Sequence, residues 1–133
     1  MAQLNDEGLN LIFREARTHF AWQDRAVDDA LLRAVYDLTK MAPTSANMSP
    51  MRVIFVKSKQ GKERLKPALD AGNVGKTMSA PVTAIIGMDM QFYEKLPKLF
   101  PHKDISGVFR DMPKDALEVV ALRNGSLQGA YFM

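Results

Sequence analysis

The sequence predicts an α+β fold in one domain over residues 1–133, and three observations carry that prediction. First, Val53-Ile54-Phe55-Val56 and Val82-Thr83-Ala84-Ile85-Ile86-Gly87-Met88 are short, rich in β-branched residues and apolar on both faces, as buried inner strands are. Second, the segments around them repeat apolar residues at helical spacing, giving about four helices. Third, two strands are too few for a covered sheet, which usually holds about four to six. Further strands must therefore come from a partner chain or from additional polypeptide.

Taken in order, Leu4 to Arg17 reads as a helix, with Leu4, Leu11, Ile12 and Ala16 at roughly helical spacing and Arg14, Glu15 and Arg17 at its C-terminal end. Asp28 is placed as an N-cap, and Leu31, Ala34, Val35, Leu38 and Met41 form the inward stripe of a second helix. Pro43 stops it, because the residue before a proline avoids the helical region. Five small or polar residues, Pro43 to Asn47, then fill the junction before the first strand. Gly61 to Ala71 is a third helix with Leu65, Ala68 and Leu69 inward, closed by Gly72-Asn73 as a C-cap. Pro81 precedes the second strand. Residues 89–112 hold Phe92, Tyr93, Leu96, Leu99 and Phe100 at irregular spacing, broken by Pro97 and Pro101, and read as a short helix with a lid-like loop. Pro113 opens the last helix. On it Leu117, Val120, Ala121, Asn124, Leu127, Gln128 and Tyr131 share one side, and Gly125 and Gly129 permit close helix approach across an interface.

Composition narrows the function. The chain contains no cysteine, which excludes disulfides, thiolate catalysis and Cys-ligated metal, and two histidines are too few for a His-only metal site. A net charge of +3 suits a small anionic ligand, and no basic face or RNA-binding signature points to nucleic acid. No apolar run reaches membrane-spanning length and no signal-like segment opens the chain, so a soluble cytoplasmic protein is expected. There is no internal repeat.

Several residues admit two readings on chemistry alone. Ser45 and Asn47 are ordinary turn formers that satisfy local backbone groups; they are also small donors able to meet a flat polar ring. Arg17 at a helix end is a solvated charge favourable to the dipole, or a fork for a phosphate. Asn73 and Lys76 are a cap and a solvated cation, or two groups sharing one helical face. Asn124 and Gln128 face inward, where polar groups need partners, and suit helix packing or an interface. Trp22 and the methionines Met41, Met48 and Met51 suit core filling.

Read together, "EARTHFAWQDRAVDDALLRAVYDL" and "MAPTSANMSPMRVIFV" resemble the nitroreductase superfamily of FMN-dependent oxidoreductases. The corresponding residues are Arg17-Thr18, Trp22, Ala26-Val27 and then Ala42 to Arg52. The likeness continues through "DAGNVGKTMSAPVTAII", where Asn73 and Lys76 fall at two flavin-contacting positions. "KERLKPAL" and "FYEKLPKLFPH" are similar in particular to the malonic semialdehyde reductase branch of pyrimidine utilisation.

The resemblance implies a three-layer α/β/α fold with a mostly antiparallel sheet, completed as an intertwined homodimer with FMN at the interface. NAD(P)H would reduce the flavin at N5, and a second substrate would take the hydride, with no side chain acting as nucleophile. It implies cofactor contacts from Arg17, Thr18 and His19, from Pro43, Thr44, Ser45 and Asn47 toward the flavin of the other subunit, and from Asn73 and Lys76. The implied substrate is malonic semialdehyde, reduced to 3-hydroxypropanoate; a nitroaromatic or quinone acceptor is the alternative. The departures are the loss of basic residues at Ala16 and Phe20, and Ser49 and Met51 where the family has Gln and Trp. Family members also continue beyond the point that Met133 reaches. A C-terminally truncated chain is therefore expected, and with it a third reading, a non-catalytic fragment that binds FMN weakly.

Overall fold

The computed structural model describes residues 3–133. Strands β1 (Met51–Val56) and β2 (Thr83–Met88) pair antiparallel, in a register running from Met51 opposite Met88 to Val56 opposite Thr83. Directly opposed residues share a face. Met51, Val53 and Phe55 therefore join Met88, Ile86 and Ala84 on one side, with Arg52, Ile54, Ile85 and Gly87 on the other. The long helix α7 (Lys114–Phe132) lies on the first side. A Cβ on Gly125 would stand 3.8 Å from Met88, and one on Gly129 3.9 Å from Ile86. The Phe132 and Phe55 rings are 6.0 Å apart. The two glycines thus face the sheet, where the sequence suggested a helix across an interface. β1 also departs from the inner strand expected. It pairs on one edge only, and Ile54 on its second face is 62% exposed.

The core is built where the sequence was least regular. Met48, Phe92, Leu96, Leu117 and Ala121 form its buried centre, ringed by Met88, Tyr93, Phe100, Ile105 and Phe109. Phe92 and Leu96 come from the segment read as a short helix and a lid-like loop. The short helix is present as α5 (Leu96–Leu99), but a 3₁₀ turn over Phe92–Lys95 precedes it and α6 (Ser106–Arg110) follows in place of an open lid. Pro97 does not break α5, because it stands in the first turn, where its missing N–H has no helical partner to lose. Phe92 is wholly buried and meets Phe109 edge-on at 5.2 Å; burying such a side chain is worth about 2–3 kcal/mol.

Other boundaries shift for local reasons. Asn5 caps α1 (Asp6–Leu9), which loosens into a π-turn over Asn10–Arg14 and stops short of Arg17. The helix predicted over Gly61–Ala71 is two. Ser58 caps α3 (Lys59–Leu65), a 3₁₀ turn over Lys66–Ala68 follows at Pro67, and α4 (Ala71–Ser79) begins. Gly72 and Asn73 are thus the first turn of α4, not a C-cap. The buried Lys62 ties the pair together, its ammonium donating to the Met78 and Ala80 carbonyls at the end of α4, as cations do at helix C-termini.

Helix α2 (Asp29–Thr39) is capped as predicted, Asp28 Oδ1 accepting from the Leu31 N–H at 2.6 Å. Its orientation is not as predicted. Leu32, Val35 and Thr39 turn toward the protein, and the Thr39 hydroxyl donates to the Val35 carbonyl at 2.8 Å. Leu31, Ala34, Leu38 and Met41 face outward, Leu38 and Met41 at 74% and 75% exposure. An apolar stripe shows that one face avoids water, but not which surface it meets. Leu127 and Tyr131 of α7 and Trp22 are likewise more exposed than expected, whereas Met48 and Met51 fill the core. No described helix is long and apolar enough to cross a membrane.

Candidate cofactor site

The junction between α2 and β1 is a strained loop. Ser45–Asn47 make one 3₁₀ turn, and Ala46, Asn47 and Ser49 have φ of 48°, 49° and 41°. A left-handed conformation costs an L-residue roughly 1–2 kcal/mol, so the loop must be held from outside. Ser45 N–H donates to Asn124 Oδ1 at 2.8 Å, and Met51 N–H donates to Gln128 Oε1 at 3.0 Å. Ser49 N–H reaches Thr44 Oγ1 at 3.2 Å, and Asn47 Nδ2 donates to the Leu99 carbonyl at 2.8 Å. Pro43, Thr44 and Asn47 line a cleft of about 580 Å³ with Lys40, Arg52 and Lys95. Asp89 stands behind it, accepting from Arg52 Nη2 at 2.5 Å, Lys95 Nζ at 2.7 Å and the Gln91 N–H at 2.9 Å. Burial opposes its ionisation, but bonds from Lys95, Gln91 and Arg52 outweigh that and hold its pKa below the usual aspartate range. Lys40 pairs with Asp37.

A second group gathers where the irregular segment after Arg14 crosses α4. Trp22 Nε1 donates to the Lys76 carbonyl at 2.9 Å, and the Lys76 ammonium lies over the Phe20 ring, 4.8 Å from its centroid. A cation is attracted to the negative face of an aromatic ring at that range. Thr18, His19 and Lys76 line a cleft of about 270 Å³ with Trp22, Thr77 and Thr83. Asn73 is half-buried one turn before Lys76 on the same helix, as the three-residue spacing requires. The Arg17 guanidinium is turned to its own backbone, donating to the carbonyls of Arg14 at 3.1 Å and Ala16 at 2.7 Å.

The structure therefore brings together Thr18, His19 and Lys76, and separately Pro43, Thr44 and Asn47, with Ser45 beside the latter. It does not bring the two groups together within one chain. The sequence reading missed Lys40 and Lys95 at the loop cleft; Lys95 lies distant in sequence, with no local signal. A larger cleft, about 940 Å³ between α2 and β1, holds the Asp29–Lys57 ion pair at 2.7 Å and none of the predicted residues. No described cluster of His, Cys, Asp or Glu is placed to hold a metal.

Solved structures share the fold. A provisionally named nitroreductase from Exiguobacterium sibiricum, crystallised in complex with FMN, superposes with a TM-score of 0.84 at 20% identity, over 100% of this chain and 70% of its own. A provisionally named NAD(P)H:FMN oxidoreductase from Staphylococcus epidermidis gives 0.82 at 19% identity, over 100% and 69%. The fold is nitroreductase-like, rich in helix with a small antiparallel sheet. No family profile matches the chain. Sequence relatives are nearer. A protein of Burkholderia lata, provisionally named an NADH dehydrogenase/NAD(P)H nitroreductase, is 59% identical over 134 residues, covering 100% of this chain and 68% of the relative. One of Polynucleobacter asymbioticus with the same name is 54% identical over 131 residues, covering 98% and 66%. The chain belongs to this NAD(P)H nitroreductase family of oxidoreductases and spans about two thirds of the length of the two relatives.

Proposed function

We propose that the protein is an FMN-dependent NAD(P)H oxidoreductase that works as a homodimer, with each flavin held between Thr18, His19, Asn73 and Lys76 of one subunit and Pro43, Thr44, Ser45 and Asn47 of the other. The observation that carries this reading is the division of the donors into two separate clefts of one chain, neither of them lined by a carboxylate. A phosphorylated, carbonyl-rich cofactor needs hydroxyl, amide and ammonium donors: the Thr18–Lys76 cleft offers all but the amide, and the loop cleft offers Thr44 and Asn47, its cations being already paired with Asp37 and Asp89. The outward apolar stripe of α2 supports assembly with a second copy. FMN in the Exiguobacterium neighbour supports the choice of flavin.

Each residue has a physical role on this reading. Lys76 sets a fixed positive charge where negative charge accumulates on reduction, which favours the reduced state. Asn73, one turn away, adds an amide donor. Thr18 and His19 supply donors beside Lys76. Arg17, exposed and bonded to neighbouring carbonyls, is free to swing its fork to a phosphate. When bound, the flavin supplies hydride relay from the nicotinamide to an acceptor. The acceptor we assign is malonic semialdehyde, from the subgroup resemblance; a nitroaromatic or quinone acceptor is favoured instead by the names of the relatives. A cytoplasmic location fits a nicotinamide-linked reaction.

The test is the visible spectrum of the purified protein with added FMN, followed by NAD(P)H oxidation with an aldehyde, a quinone and a nitroaromatic. A bound flavin and turnover with the aldehyde first are expected. Absence of flavin binding overturns the reading, and faster turnover of the nitro compound or quinone replaces the acceptor.

A further inference from the structure

We infer that Asn124 and Gln128 of α7 are positioning residues for the cofactor: they hold the 43–51 loop in the left-handed shape on which flavin binding depends. The inference rests on the flavin reading above. The two side chains stand one turn apart and are 4% and 2% exposed. Each uses its carbonyl oxygen to accept from a loop backbone N–H, Asn124 from Ser45 at 2.8 Å and Gln128 from Met51 at 3.0 Å. Asn124 Nδ2 donates to the Val120 carbonyl at 2.9 Å, which fixes the direction in which its oxygen points.

Ser45 and Met51 bracket the three left-handed residues found outside glycine among the described residues, Ala46, Asn47 and Ser49. Such backbone persists only where the surroundings over-determine it. Asn47 can stabilise the left-handed region through its own amide, but Ala46 has no polar side chain to do so. The conformation at Ala46 therefore depends on what grips the loop at either end. Gln128 fixes the exit as well, because Met51 is the first residue of β1 and opposes Met88. Helix packing alone does not explain the amides. Leucine and methionine fill similar space without desolvating a polar group, whereas the loop N–H groups would be left unpaired without them.

The experiment compares Asn124→Leu and Gln128→Met with Leu117→Ala, a change on the same helix in the core cluster that includes Met48, which alters packing beside the loop but removes no hydrogen bond to it. FMN affinity, thermal unfolding of the flavin-free protein and amide exchange at Ser45 and Met51 are measured for each. We expect Asn124→Leu and Gln128→Met to weaken FMN binding about tenfold, as loss of one buried hydrogen bond does, and to speed exchange at the amide each one grips. Leu117→Ala should lower the melting temperature yet leave affinity within about twofold. Adding Ala46→Gly to Asn124→Leu should recover about threefold in affinity without recovering the melting temperature, because glycine enters the left-handed region freely. Affinity of both amide variants within about twofold of the parent, or no larger a loss than Leu117→Ala gives, overturns the inference; so does unchanged exchange at Ser45 and Met51. If the parent protein binds no FMN, the flavin reading fails, and the exchange measurement still decides whether the pair sets the loop.

Discussion

Residues 92–121 and residues 29–41 are both well supplied with apolar side chains, but they dispose of them in opposite ways. In the first region Phe92, Leu96, Leu117 and Ala121 turn inward and close on Met48. In the second, Leu31, Leu38 and Met41 point to solvent, while Thr39 takes the buried position. The first region is satisfied within the chain. The second is not: a helix with so clean an apolar stripe lowers its free energy only when another surface covers it. Irregular spacing hid a complete core, and regular spacing advertised an incomplete one. Of the candidate cofactor residues, Pro43, Thr44, Ser45 and Asn47 fall along the seam between these regions, where the loop leaves α2 and is pinned by α7.

The comparison can be broken at several points. The largest effect belongs to the sealed region. Phe92→Ala should cost about 3–5 kcal/mol in chemical denaturation, whereas Leu38→Ala should change the folding stability of the monomer by less than about 0.5 kcal/mol. Similar losses from the two would erase the distinction. Next is the rim of the core. Asp89→Asn removes a carboxylate gripped by Arg52 and Lys95 and should cost about 2 kcal/mol at neutral pH. Because its folded pKa is depressed, the contribution is complete above the unfolded aspartate pKa of about 3.9 and disappears as pH falls through the lower folded value. Paired denaturation curves at neutral and strongly acid pH should therefore converge; a gap that persists in acid would remove the ion pairs as its cause.

Smaller effects sharpen the open region. Leu38→Glu should weaken self-association by about 1–2 kcal/mol, read by sedimentation as a shift toward monomer with unfolding of the monomer unaffected. An unchanged sedimentation profile would mean that α2 is not the face that associates. Lys76→Met should disfavour the reduced flavin by about 1 kcal/mol, near 20 mV for a two-electron couple, measured as a lower midpoint potential. A midpoint equal to that of the parent would remove Lys76 from the site.

Much of the local structure was legible. Asp28 as an N-cap, the two β-branched runs and the helix after Pro113 depend on contacts within a few residues, and each is present. Where local signals misled, a second local feature usually prevailed, as Pro67 did in dividing the third helix. The 89–112 segment failed for another reason. Turns of four or five residues are too short to display a period, so the segment read as one short helix and a lid, while Phe92 and Leu96 form the core. At the site, "PTSAN" marked the loop, but nothing in those letters announced three left-handed residues.

The sequence by itself determined which segments form helices and strands, because backbone dihedrals and caps answer to near neighbours. It also carried the family membership, which relatives at 59% and 54% identity show. Tertiary structure alone decided which face of α2 meets the protein. It likewise decided that Asn124 and Gln128, 79 and 77 residues beyond their partners, grip the loop, and that the candidate cofactor residues divide between two clefts. Those outcomes depend on contacts between distant parts of the chain, and a helical or strand period specifies that a face is apolar without specifying what will cover it.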